Sequence, residues 1–211
     1  MAMCPASHPE NRSYHHGDLR RALVDAALVI VRQQGLDSLT MRGVARAANV
    51  SHMAPYHHFH DKAALIAAVA AEGFRRLRDA MAERVASCSE GPPRARLRQS
   101  GVAYVVFAVK NPNLFRVMFS SDVVESDDPD LQEASAAAYA LLRGLVDDSR
   151  ATKRVDRAEA EMMSVSAWAL VHGLAILCID GQLGQEGTTP EFAEKFAYEA
   201  TGALHRGLRN G

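Results

Sequence analysis

Cysteine is scarce in this chain of 211 residues: Cys4, Cys88 and Cys178 are the only three. They are odd in number and widely spaced, and no Cys-x-x-Cys pair occurs. That excludes a disulfide framework and a cysteine-built zinc site, and it suits a reducing cytoplasm. Long apolar runs are missing too. No uninterrupted stretch of eighteen apolar residues occurs, so no membrane span is expected. The opening MAMCPASHPEN has no basic start followed by an apolar segment and does not read as a secretory signal. A cytoplasmic location is the expectation. Catalytic signatures are equally absent: there is no Gly-x-Ser-x-Gly, no phosphate-binding loop and no Gly-x-Gly-x-x-Gly. Ser164, Ser166, His172 and Asp180 sit near one another in sequence, but offsets of two, six and eight do not bring three groups to one reacting atom. The expectation is no enzyme, no cofactor and no metal.

What is present is helical. Strand-like alternation, internal repeats and low-complexity tracts do not appear, and 48% hydrophobic content suffices for a sizeable core. Residues 18–34, DLRRALVDAALVIVRQQ, place Leu19, Leu23, Ala26, Ala27, Ile30 and Val31 on one face with the 3.6-residue period of an amphipathic helix. Gly35 follows, where a helix-ending glycine belongs. Thr40 stands as N-cap before MRGVARAA, Asn49 can end that short helix in the left-handed conformation, and Ser51 is expected to cap a third, HMAPYHHF. Asp61 caps a long fourth helix running to about residue 87. SEGPPRA at 89–95 breaks the pattern. Periodic segments follow at 94–110, NLFRVMF, 130–149, 156–183 and 190–208, with SSDVVESDDPD expected as an acidic loop. The class is all-α.

Charge is divided along this helical chain. Residues 1–109 hold 14 Lys and Arg against 9 Asp and Glu, residues 110–211 hold 10 against 16, and seven of the nine histidines precede residue 61. Such a division points to an anion-facing first half. In that half, TMRGVARAA, the turn NVS and HMAPYHHF form two short helices around a tight turn, the pattern of a helix-turn-helix. Leu39, Met41, Val44, Ala45, Ala48, Val50, Pro55 or Tyr56, and Phe59 supply its apolar packing. The second helix would enter a major groove with its first residues near base edges. The histidines His52, His57, His58 and His60 invite a metal reading. His57 and His60 are three apart, but Asp61 begins a new helix and no His-Glu-x-x-His or cysteine cluster supports them.

Through residues 17–75, the order of a helix, a glycine, LTMRGVA, AANVS, a tyrosine, HF and a DK helix start resembles the TetR family of transcriptional regulators. The shorter SAWALVHGLAIL, with Trp168, His172 and Gly173, looks like a WHG-type TetR C-terminal domain. The resemblance implies a homodimer, an N-terminal helix-turn-helix DNA-binding domain, and a C-terminal helical bundle that binds a small-molecule effector and dimerises. The implied division is a flexible arm (1–16), the DNA-binding domain (17–62), a connecting helix (63–88) and the effector-binding and dimerisation domain (89–211). By position, Thr40 and Arg42 approach phosphate, and Ser51 caps the recognition helix. His52, Met53 and Ala54 face base edges, Tyr56, His57, His58 and Lys62 join the DNA contacts, and Phe59 is core. Arg12 is a candidate minor-groove arm, with a disordered terminus as the alternative reading, and Tyr14-His15-His16-Gly17 reads as a cap or backbone contact leading into the first helix rather than as a ligand set.

Two departures are visible. His57 stands where the family often has arginine, and Asn49 where the turn usually has glycine. Histidine titrates near neutrality, so DNA affinity is expected to fall between pH 6 and 8 more steeply than salt alone explains. In the C-terminal half, Tyr104, Phe107, Phe115, Met118, Phe119, Met162, Trp168 and His172 are the expected effector-pocket residues, with core packing as the alternative for each. The last two helices, 156–183 and 190–208, are the expected dimer seam. The partners implied are double-stranded DNA with a palindromic operator, an effector and a second copy. The function implied is a repressor released by its effector. The alternatives are an activator of the same family, or a helical small-molecule-binding protein without a specific DNA target.

Overall fold

The computed structural model describes residues 16–88, 90–149 and 156–207. Arg12, Tyr14 and His15 lie outside the described residues with positions 1–15 of the expected arm, while His16 and Gly17 belong to the first helix. Among those described, the elements are helical throughout. They are α1 (His16–Gln34), α2 (Met41–Ala47), α3 (Lys62–Ala86), α4 (Pro93–Lys110), α5 (Pro112–Met118), α6 (Ser121–Val124), α7 (Pro129–Ser149), α8 (Arg157–Ile179) and α9 (Pro190–Gly207), with single 3-10 turns at Ala54–His57 and Gln185–Thr188.

Each start has a local cause. Thr40 is extended and its hydroxyl accepts the Gly43 N–H at 3.0 Å. Asp61 and Asp156 cap α3 and α8 in the same way, accepting from Ala64 and Glu159 at 2.8 Å each. Such caps satisfy backbone donors that have no partner inside the helix. The helices α4, α5, α7 and α9 open on a proline, whose missing N–H costs nothing at a first position, and α7 and α9 are capped as well, Asp128 accepting from Leu131 at 3.0 Å and Thr189 from Phe192 at 3.3 Å. Asn49 has φ 55°, so it does end α2 in the left-handed region.

Three expectations change. The second helix of the helix-turn-helix is one 3-10 turn, and Ser51 does not cap it with its side chain. The Ala54 N–H bonds the Ser51 backbone carbonyl at 3.0 Å instead of the serine side chain, and Pro55 has no N–H to offer. The acidic segment after Phe119 contains α6, one helical turn held by Val124 N–H on the Ser120 carbonyl at 3.0 Å. The helix expected at 156–183 ends at Ile179, followed by Gly181 and Gly184, both at positive φ.

One apolar core runs through the chain. The helix α3 packs on α1 near its start and on α4, α5, α6 and α7 along its length, so the connecting helix shares its core with both halves. Helices α4, α8 and α9 pack together beyond it. The helix α8 is long and apolar enough, by length and composition, to cross a membrane, yet only 28% of that window is buried within the chain. One face rests on its neighbours; the other carries Met162, Val165 and Leu177 to the surface.

Candidate functional site

Two places concentrate chemistry: the surface around the 3-10 turn and a cavity in the helical half. At the first, the turn is anchored by Phe59, 2% exposed, with Ala54 and Pro55 also buried. The anchoring turns Ser51, His52, Met53, Tyr56 and His57 outward, Met53 at 52% and Tyr56 at 46% exposure. Thr40 and Arg42 lie exposed at the start of α2, Lys62 lies exposed in the first turn of α3, and His58 is half-buried. Ala54 departs from its expected place at base edges. At 9% exposure it packs inward, because a turn this short must bury both Ala54 and Pro55 to hold its position. His60 is tied back to its neighbour, Nε2 lying 3.2 Å from the Asp61 carboxylate. Two further cations on this face escaped the sequence reading: Arg46 at the end of α2, and Arg20, whose guanidinium lies 5.2 Å from the centre of the Phe59 ring. The signal available for both was an arginine among the polar positions of a helix flanking the turn.

The second place is a cavity of about 1340 Å³ between α3, α4, α7, α8 and α9, ample for a small molecule. Of the eight expected pocket residues, Tyr104, Phe119 and Trp168 line it. Phe107, Phe115 and Met118 do not; each is 8% exposed or less and forms the packing behind the wall. The Phe115 ring meets Tyr104 edge-on at 5.6 Å and Phe119 at 5.0 Å. Met118 fills the space over Gly73, where an added Cβ would lie 2.7 Å from its Cγ. Met162 is 66% exposed on the outer face of α8, one turn before residues that face inward. His172 stands behind the lining and reaches it through Tyr104.

That contact is the polar centre of the site. The Tyr104 hydroxyl lies 2.9 Å from His172 Nδ1, and the Trp168 indole N–H donates to the same oxygen at 3.3 Å. Burial raises the Tyr104 phenol above its usual range, with the Trp168 hydrogen bond opposing, and burial lowers His172. Both effects favour neutral side chains, so Trp168, Tyr104 and His172 form an uncharged relay at the aromatic end. The rest of the wall was not anticipated: Phe74, Leu77 and Met81 of α3, Tyr139 and Leu142 of α7, and Arg98 of α4. On sequence these are ordinary helix residues; only the crossing of five helices brings them to one space. Tyr139 has a further tie, its hydroxyl donating to Glu161 at 3.0 Å.

Comparison with known proteins gives this architecture its class. Residues 23–69 match the family "Bacterial regulatory proteins, tetR family", and residues 97–199 match "Tetracyclin repressor-like, C-terminal domain". The chain belongs to the TetR family, whose members are transcriptional regulators rather than enzymes. Among individual proteins, it is 37% identical over 78 residues to the HTH-type transcriptional regulator BetI of Cronobacter sakazakii, spanning 37% of this chain and 39% of that relative's length. It is 26% identical over 172 residues to BetI of Escherichia coli K12, covering 74% of this chain and 79% of that one. A solved structure of a Rhodococcus protein of unknown function superposes with a TM-score of 0.74 at 32% identity, over 90% of this chain and 97% of that chain.

Proposed function

We propose that this chain is a homodimeric, ligand-responsive repressor that leaves a palindromic operator when a small-molecule effector fills the cavity. The observation that carries the reading is the presentation of His52, Met53, Tyr56 and His57 on an anchored turn, flanked by Thr40, Arg42 and Lys62. Met53 and His52 would meet base edges; the hydroxyls and cations around them would meet phosphates. One such turn offers few contacts, and two held about one DNA turn apart read a palindrome with far greater affinity. The exposed stripe of Met162, Val165, Ala169, Gly173 and Leu177 on α8, beside Phe196 on α9, supports pairing of two copies through these helices. The Trp168-x-x-x-His172-Gly173 arrangement supports the WHG-type assignment of the C-terminal half, with a division near residues 62 and 88. An effector that fits one conformation better would shift the spacing of the two reading turns through α3.

Selection of bound duplexes from a random pool at moderate salt tests the proposal. A palindrome with half-sites about one turn apart is expected. Binding that shows no sequence preference and vanishes with modest added salt would mean charge attraction alone, and would defeat it.

A further inference from the structure

We propose that the cavity takes an amphipathic anion: a molecule with an extended apolar body and a single carboxylate head, the head seated on Arg98. The inference rests on reading the cavity as the effector site and assigns that site its ligand chemistry.

Arg98 projects from α4 into the cavity lining. Its Nε donates to the Tyr198 carbonyl at 2.7 Å, and its guanidinium carbon lies 3.3 Å from the centre of the Tyr198 ring. Gly202, one turn further along α9, makes room for it: a Cβ there would lie 2.6 Å from Nη2. A carbonyl, an aromatic face and a missing side chain therefore hold the guanidinium in place, and none of them carries a negative charge. Among the described residues no carboxylate lies within ion-pairing distance of Arg98, whereas Arg75, Arg84, Arg96, Arg116 and Arg143 each have one. The one acid on the cavity wall, Asp148, is already countered by Arg96 at 3.7 Å, and the remaining charged wall residue is Arg94, another cation. A half-buried, orientated and unpaired guanidinium is a ready partner for a carboxylate, which it can grip with two parallel hydrogen bonds.

The rest of the cavity sets the body of the ligand. Phe74, Leu77, Met81, Leu142 and Val171 make apolar walls, and the Tyr104 end is neutral. Arg98 and Tyr104 are six residues apart on α4, a rise of roughly 9 Å at 1.5 Å per residue, so a linear body can run from cation to aromatic end. A cationic ligand would put like charge against Arg98.

Trp168 is the only tryptophan in the chain and lines this cavity, so its fluorescence reports occupancy directly. The full-length protein is titrated below micellar concentrations with decanoate, decanol and decyltrimethylammonium. Decanoate is expected to bind at least about tenfold tighter than decanol, the scale of one charge-assisted pair. Arg98→Gln should abolish that preference by weakening decanoate far more than decanol, and Arg98→Lys should keep part of it. Gly202→Ala, which displaces the guanidinium without removing its charge, should also reduce it, with far-UV circular dichroism confirming the fold. Equal binding of decanoate and decanol, or tightest binding of the ammonium, overturns the anion assignment and leaves the cavity standing as a ligand site. Failure of all three to perturb Trp168 overturns the cavity reading and the assignment with it.

Discussion

Tyr56 and Met53 stand on one short turn with nearly equal exposure, 46% and 52%, and their chemistry separates them. A phenol hydroxyl bonds any phosphate, because every nucleotide carries one; a thioether has only apolar and weak acceptor contacts to offer, which favours a thymine methyl. Tyr56→Phe is expected to weaken binding by about tenfold on specific and scrambled duplexes alike, the scale of a hydrogen bond to a charged group. Met53→Ala should instead alter the ranking of sequences. Anisotropy titrations against a panel of single-base operator variants distinguish them, and a sequence-dependent Tyr56→Phe effect would reverse the assignment. His172 makes a second residue-scale case. Burial lowers it from the usual 6.5, so as pH falls below that value the unfolded chain takes up the proton first. The unfolded state then binds more protons, and stability declines with falling pH through that window. Urea midpoints at pH 7.5 and 5.5 should therefore differ more in the wild type than in His172→Gln, and equal pH sensitivity would show that His172 pays no such desolvation penalty.

Helix α8 is the element whose surface the chain itself leaves unexplained. Met162, Val165, Ala169, Gly173 and Leu177 recur at three- and four-residue spacing and all are exposed, yet an added Cβ at Gly173 would meet nothing within 4 Å. Inside one copy, then, no contact demands a glycine there; a second helix crossing close to the backbone would. Gly173→Leu is expected to convert a dimer to a monomer in sedimentation velocity without lowering helix content, while a dimer of unchanged affinity would move the seam elsewhere. Elements of this kind show how far sequence carries. The caps at Thr40 and Asp61, the left-handed Asn49 and the starts of the long helices were legible because each depends on a few adjacent residues and their backbone donors. At Ser51 the Ala54 N–H goes to the backbone carbonyl rather than to the side chain, a competition that residue preferences do not express. In the cavity, aromatic residues near the wall were identifiable as a group, but lining and backing were not. Tyr104 and Phe115 differ only in which side of a helix crossing they occupy, and that depends on α3, α4, α7, α8 and α9 together. Arg98 went unnoticed for the same reason: its carbonyl, its ring and its notch all come from α9, 100 residues away.

At the scale of the whole molecule, cavity and reading surface share a continuous core, and two routes join them. The first is α3, which contributes Phe74, Leu77 and Met81 to the cavity and begins at Asp61 beside the reading turn. The second is α5. Its Phe115 packs on Tyr104 and Phe119, its Leu114 and Met118 press on α3 at Gly73, and its neighbour Asn113 donates from Nδ2 to the Arg32 carbonyl at 3.2 Å, in the last turn of α1. If a ligand moves the aromatic wall, it acts on both α1 and α3: α1 packs on α2, which carries the 3-10 turn, and α3 begins just after Phe59. Coupling of this kind is reciprocal: whatever factor the effector takes from operator affinity, the operator must take from effector affinity. Titrating Trp168 fluorescence with a bound ligand, with and without operator, should therefore show ligand affinity reduced by the same factor by which that ligand weakens DNA binding. Asn113→Ala removes the side-chain tie to α1 while leaving both binding surfaces untouched. It is expected to shrink the coupling factor with each separate affinity nearly unchanged. An unaltered factor would assign the transmission to α3 alone, and unequal factors in the two directions would show that ligand and operator are not linked through one conformational equilibrium.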